Sequence, residues 1–460
     1  MTTTTTSAYT RALGARLLSE ANDLKRTVDA LASEMGLPLD YVESAIAGAL
    51  QPAEYRSLFQ AVAERYPIAF GRLWMEPGDT QAGALHLTAE EARASSRIFS
   101  RADRAGNLTP YYEYRDSAMS RSAPFRPEWI RELRVVSDAN PVNPDVAYNK
   151  GHFLHQTTFF VGPVNFYWDV DGQKRSAELT TGDSNYITPF WPHSFASRDD
   201  SQLTLIVAVT YGGEVARGRE ELARLGAASL PALTLEMRNE AGAHAALLNR
   251  HLENEVLPRA RFIDRCVLSG MPAERVEALL DGSILPTNSE TAAMAALLAV
   301  TPRDLLPPTR RADEEVVVLR RADAEVYPYP GPQNPAYEIT RLARSRQQPY
   351  LKSFILRALP GRRGAELTVR LHQFGYNFGD EPVRLTVRHG DSEREIVLAP
   401  ADSAYLLPLT VCRFDAMGDR PGDIYMVGVQ GDLHADAVFE LSGMAPRGLN
   451  RVAGETTRWF

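Results

Sequence analysis

The chain has 460 residues, of which 44% are hydrophobic and 23% charged, and its formal net charge is −8. At the usual domain size of roughly 100–200 residues this predicts about two to four cores. The acidic balance argues against a broad surface for a nucleic-acid backbone, while leaving room for a small basic pocket that takes one anion. In chain order, residues 1–7 are threonine-rich without an apolar stretch, so they read as a disordered tail and not as a secretory signal. Residues 20–66 read as helices: Leu24, Val28, Leu31 and Met35 recur at helical spacing, Gly36-Leu37-Pro38 breaks the run, and Val42, Ile46 and Leu50 continue it. A further helix is expected over 53–66, and the Gly-containing turn suggests a helix-turn-helix bundle. Residues 85–210 carry runs rich in β-branched and aromatic residues, such as Thr157-Thr158-Phe159-Phe160-Val161 and Val164-Asn165-Phe166-Tyr167-Trp168, punctuated by Gly162-Pro163 and Asp171-Gly172. Short strands with regular turns indicate a sandwich or jelly roll. Residues 214–262 return to helical composition. No run of about 18 apolar residues occurs, so no membrane span and a cytoplasmic location are expected. The two cysteines, Cys266 and Cys412, form neither a disulfide framework nor a CxxC zinc knuckle.

The chain repeats itself. Gly36, Pro38, Val42, Glu43, Gly48 and Pro52 match Gly270, Pro272, Val276, Glu277, Gly282 and Pro286, all in one register (36 against 270). Asp183, Ser184, Tyr186, Pro189 and Phe195 match Asp402, Ser403, Tyr405, Pro408 and Phe414 in a second register (183 against 402). A period this long marks a tandem duplication. The expected fold is α+β, a helical bundle and a β-barrel twice over: 1–84 helical, 85–213 barrel, 214–310 helical, 311–460 barrel.

Chemistry concentrates in the first barrel. His152 and Gln156 stand four apart at the start of a strand, where a period of two would put both on one face, and His193 follows about 40 residues later. Two imidazoles and one oxygen donor leave open positions on an octahedral metal, an arrangement suited to iron(II), a chelating substrate and O₂. A neutral amide as third ligand leaves more positive charge on the metal, which favours an anionic chelate. Zinc fits less well, because it prefers histidine, thiolate or carboxylate donors in tetrahedral sites. His155 competes as a ligand, yet strand parity points it away from His152, and Asp183 reads as a turn residue. In the second barrel the positions matching His152 and His193 hold Leu371 and Cys412, and His372-Gln373 lacks the spacing. One iron per chain is therefore expected, with the second barrel as scaffold.

These residues resemble the phosphonate-processing non-haem iron oxygenases, the cupin group of hydroxypropylphosphonate epoxidase, 2-hydroxyethylphosphonate dioxygenase and methylphosphonate synthase. The matching motifs are Asn149-x-Gly151-His152 and Gly182-Asp183-Ser184 through Pro192-His193-Ser194, and the likeness covers nearly the whole chain. The dioxygenase pattern has a glutamate six residues before the second histidine, where this sequence has Ile187; the synthase pattern, H-x3-Q, fits His152-x3-Gln156. The resemblance implies Fe(II) held by His152, Gln156 and His193. It also implies phosphonate contacts from Lys25, Arg104, Tyr112 (or Tyr114) and Asn149, which supply charge-assisted and neutral donors. The implied activity is O₂-dependent C–C cleavage of 2-hydroxyethylphosphonate to methylphosphonate and bicarbonate; the dioxygenase outcome would be hydroxymethylphosphonate and formate. A small phosphonate and O₂ are thus the expected partners, and a homo-oligomer is compatible with this reading. From another class, helix-turn-helix plus cupin is also the layout of ligand-sensing transcription regulators. The segment 39–50 carries Asp40 and Glu43 and no Lys or Arg, which makes a poor recognition helix, so no nucleic acid is expected.

Overall fold

The computed structural model describes residues 7–236, 239–307 and 314–460; residues 1–6 of the expected tail and the expected boundary at 310/311 lie outside the described residues. Ser7 does not belong to a disordered tail: it caps the first helix, Ala8–Asp23, in a reciprocal box with Thr10. That helix, Val28–Met35, Leu39–Ile46 and Pro52–Arg65 bury Leu13, Leu17, Leu31, Val42 and Phe59 in one core. Glu240–Asn254, Arg259–Leu268, Ala273–Leu280 and Asn288–Leu297 bury Leu248, Phe262, Val276 and Met294 in another. The sequence repeat has a local cause here. Pro38 and Pro272 both sit at the N-cap of the third helix of their set. Gly48 and Gly282 both have positive φ (+80° and +69°), and a Cβ on them would come within 2.8 Å of Arg11 Cα and 2.9 Å of Gly242 Cα. Each glycine thus lets its turn press on the first helix of its own set.

The strands form two seven-stranded antiparallel sheets with a smaller sheet beside each. One runs Val316–Leu319, Ser184–Ile187, His155–Val161, Leu205–Tyr211, Phe125–Glu132, Leu108–Asp116, Arg97–Ala102; the three-stranded partner is Gln173–Leu179, Val164–Val170, His193–Ser197. The other runs Ala84–Leu87, Ser403–Leu406, His372–Asn377, Gly422–Val429, Lys352–Ala358, Tyr337–Arg341, Val326–Tyr329, with a four-stranded partner. The halves exchange edge strands. Ala84–Leu87, which precedes the first set of strands, pairs with Ser403–Leu406 of the second, and Val316–Leu319 pairs back onto Ser184–Ile187.

The repeated Asp-Ser motif holds this exchange in place. Asp183 accepts from Thr180 N at 2.8 Å in its own turn and from Arg321 N at 2.8 Å in the other half. Its counterpart Asp402 accepts from Ala399 N at 3.0 Å and from Ala89 N at 2.7 Å. Ser184 and Ser403 accept from Ala343 N and Ala118 N, again across the halves.

Between the two seven-stranded sheets lies a core shared by both halves: Phe125, Phe159, Val207 and Val209 meet Ile355, Phe374, Tyr425 and Val427. The run Leu205–Tyr211 is buried along its whole length because its odd positions face this core while Ile206 and Ala208 face inward, against Phe160, Phe166 and Phe195. The same parity governs His155–Val161, which carries the candidate chemistry.

Candidate metal centre

Gln156 and His155 part company at once. Gln156 sits on the inner face of its strand, in register with Thr210 and Ile187. His155 points into the core between the sheets, where Tyr186 Oη lies 2.7 Å from Nδ1 and Gln348 Nε2 3.1 Å from Nε2. Burial pushes His155 down to about 4, so it is a neutral packing residue. His372 makes the same bond to Tyr405 Oη, 2.6 Å, in the other half.

His152 reaches the inner face by a different route from the one strand parity predicts. The strand starts only at His155, and His152 lies in the bend before it. Gly151 (φ +70°) makes that bend: a Cβ there would lie 2.4 Å from the Phe190 carbonyl, and His152 O accepts from Phe190 N at 2.8 Å. The loop carrying His152 is thereby strapped to the loop leading into His193–Ser197. Asn149 completes the strap, its Oδ1 accepting from His193 N at 2.9 Å and Gly151 N at 3.0 Å.

The donor atoms converge. His152 and His193 stand with ring centroids 5.1 Å apart and planes at 89°. Nδ1 of His152 lies 2.9 Å from Leu154 O, and Nδ1 of His193 lies 2.9 Å from Trp191 O. A carbonyl can only accept, so each Nδ1 carries a proton, and in a neutral imidazole the Nε2 then presents a lone pair. Burial pushes His193 down to about 4, which keeps it neutral. Gln156 donates from Nε2 to Thr158 Oγ1 at 2.9 Å, which leaves Oε1 facing His152 Nε2 at 3.2 Å. Lone pair thus meets lone pair at that contact, an unfavourable arrangement that a cation between them resolves. Among the described residues no three His, Cys, Asp or Glu side chains gather to hold a metal; the histidine pair finds its third neighbour in an amide. Ile187 stands directly across the strand pair from Gln156 and is fully buried, so the glutamate of the dioxygenase pattern would project from the neighbouring position on the same face.

These groups open on a cavity of about 300 Å³, whose wall includes Arg101, Tyr112, Tyr114, Glu128 and Asn149. Arg104 is absent from it. Its guanidinium is exposed and spent on Asp145, with Nε 2.9 Å from Oδ2. Arg101, on the same hairpin, faces the cavity and among the described residues has no hydrogen-bonded side-chain partner and no ion pair. Lys25 also lies elsewhere in this chain: it follows the first helix with φ +57°, and its Nζ sits 4.7 Å from the Trp459 ring centroid. Tyr112 lines the cavity with its ring, yet its hydroxyl is committed to the strand of His193, accepting from Phe195 N at 2.8 Å and lying 3.1 Å from Phe195 O. Tyr114 has no such partner among the described residues, and burial pushes it up to about 12. Asn149 Nδ2 is 3.0 Å from His193 Nε2. Sequence reasoning left Tyr112 and Tyr114 open and missed Arg101, because spacing alone does not say which member of a hairpin turns inward.

No family model matches the chain. The methylphosphonate synthase of Nitrosopumilus maritimus (strain SCM1) is 34% identical to it over 451 residues, which cover 97% of this chain and 95% of that protein. The chain belongs to the methylphosphonate synthase family. Among solved structures, the Streptomyces albus 2-hydroxyethylphosphonate dioxygenase, with 2-hydroxyethylphosphonate and Fe(II) bound, is 35% identical and superimposes with a TM-score of 0.88 over 98% of this chain and 99% of that one. PhpD with cadmium, complexed with hydroethylphosphonate (HEP), shares the fold at 20% identity, TM-score 0.76, over 96% and 99% of the two chains. The likeness spans both halves of the chain and not only the first cavity.

Proposed function

We propose that this member of the family is an iron(II)- and O₂-dependent enzyme that cleaves the C–C bond of 2-hydroxyethylphosphonate, giving methylphosphonate and bicarbonate. The observation that carries it is the meeting of His152 Nε2 with the amide oxygen of Gln156 at 3.2 Å, beside the ring of His193 5.1 Å from that of His152, on the wall of one cavity. The donor set fits iron: two neutral imidazoles and an oxygen, with no thiolate. Iron held there supplies the redox chemistry with O₂. The overall reaction balances with one O₂ per substrate and no external reductant.

The rest falls to the chain's own residues. Arg101 offers positive charge for the phosphonate, beside Arg126 on the same wall, with Tyr114 as a neutral donor and Asn149 held against His193 Nε2. Glu128 stands on the same wall, and burial raises its pKa from the ordinary value. Ile130, Leu154 and Phe195 complete an apolar wall that keeps bulk water from the reacting carbon. Each half is read as a helical bundle followed by a cupin barrel, the second without a metal.

The synthase outcome is favoured over the dioxygenase outcome by the third ligand, Gln156, opposite an isoleucine at 187. The test is anaerobic purification, metal analysis, and incubation of the iron-loaded protein with 2-hydroxyethylphosphonate in air, read by phosphorus NMR. Methylphosphonate is expected; hydroxymethylphosphonate as sole product overturns the synthase reading.

A further inference from the structure

An amide ligand has a problem that a carboxylate lacks, because it has a wrong face. Turned over, Gln156 would present an NH₂ group with no lone pair to a metal. The two inner-face residues Gln156 and Thr158 stand two apart on one strand, both buried, and Gln156 Nε2 donates to Thr158 Oγ1 at 2.9 Å. We infer that Thr158 is the positioning residue that keeps the oxygen of Gln156 turned toward the imidazoles.

Thr158 accepts that hydrogen bond and still has its own hydroxyl proton to place. Its register partner across the strand pair is Asn185, fully buried, with neither Oδ1 nor Nδ2 hydrogen-bonded among the described residues. Opposed residues of an antiparallel pair share a face, with Cβ atoms about 4.5–5.5 Å apart. A buried amide with two unused polar atoms is costly, and here it stands beside the hydroxyl that has a donor to spare. Asn185 stands across from Thr158 without a partner of its own among the described residues, while Thr158 orients Gln156 and Gln156 offers its oxygen. The contact between Gln156 and Thr158 lies on the inner face of one strand, so the core on its outer face does not enter into it.

This rests on the reading of His152, Gln156 and His193 as the metal site. The experiment titrates Fe(II) anaerobically, and Co(II) by its visible absorption, into five proteins: wild type, Thr158→Val, Thr158→Ser, Gln156→Glu and the Gln156→Glu/Thr158→Val pair. Valine keeps the shape of threonine and removes the acceptor. Metal affinity is expected to fall by about 10–100-fold in Thr158→Val, the usual effect of removing a group that orients a ligand, with a changed Co(II) spectrum, and to recover in Thr158→Ser. In the Gln156→Glu background the loss should shrink, because either carboxylate oxygen can ligate. Wild-type affinity in Thr158→Val, or an equal loss in both backgrounds, overturns the assignment. A wild-type protein that binds neither metal, or binds it unchanged after His193→Ala, sinks the metal site itself and is a distinct result.

Discussion

Glu132 gives the interior of the first half a measurable electrostatic signature. It ends the strand Phe125–Glu132 on the inner face with Ile130, is 3% exposed, and neither carboxylate oxygen has a hydrogen-bond partner among the described residues. Burial pushes its pKa from 4.5 to about 8. A carboxyl group with a raised folded-state pKa stays protonated in the native protein after the unfolded chain has released the proton. Its contribution to stability is therefore fully present below about pH 4.5 and is lost as the pH rises to 8. At 1.36 kcal/mol per unit, a shift of this size is worth about 5 kcal/mol. Glu132→Gln keeps the shape and cannot ionise. Urea unfolding of wild type and variant at pH 5, 6.5 and 8 should give similar stabilities at the lowest pH and a variant several kcal/mol more stable at the highest. Parallel curves would refute the reasoning, since they would mean that Glu132 is solvated or paired.

The other expectations concern the cavity. His152→Ala and His193→Ala should each abolish bound iron, measured by elemental analysis, with the fold retained by circular dichroism. Arg101→Gln should raise KM for 2-hydroxyethylphosphonate about 10–100-fold, the worth of one charge-assisted hydrogen bond of roughly 1.5–3 kcal/mol; Arg104→Gln, which loses only its contact with Asp145, should leave KM within about twofold. Gly151→Ala forces a Cβ to 2.4 Å from the Phe190 carbonyl at φ +70°, so a drop in melting temperature together with lowered iron occupancy is expected. The register of Gln156 against Ile187 predicts that Gln156→Ala with Ile187→Glu still binds iron in a metal titration, while Gln156→Ala alone binds it weakly.

Sequence reasoning reached some of this and missed the rest for physical reasons. A period of two separates Gln156 from His155 correctly because both lie inside a strand whose two faces meet different cores. It gives the wrong route for His152, which lies before the strand and is aimed by Gly151 and the Asn149 strap. The repeated Gly48 and Gly282 were visible as a pattern, but their cause, a close approach to the first helix of each set, exists only in three dimensions. The exchanged strands Ala84–Leu87 and Val316–Leu319 are four residues each and pair with partners more than 100 residues away, so no local signal marks them. Arg101 and Arg104 differ only in which one meets Asp145, a partner 41 residues from Arg104.

The second half can lack the histidines of the first and still support it, because inner-face and outer-face residues occupy opposite sides of the same strands. Where the first half has His193, the second has Cys412, buried among Leu385, Phe414 and Met426, its thiol pushed up to about 12. Such a group is neutral and packs as an apolar residue. The outer face has kept its complement: Phe159 stacks on Tyr425 at 4.8 Å, and Trp129 Nε1 donates to Tyr376 Oη at 3.2 Å. Val316–Leu319 of the second half forms the edge beside Ser184–Ile187, and so supports the strand that faces Gln156 and Thr158. Substitutions on the inner face of the second half are then free of the metal, whereas those on its outer face act on the first half through the back of the strand that carries Gln156.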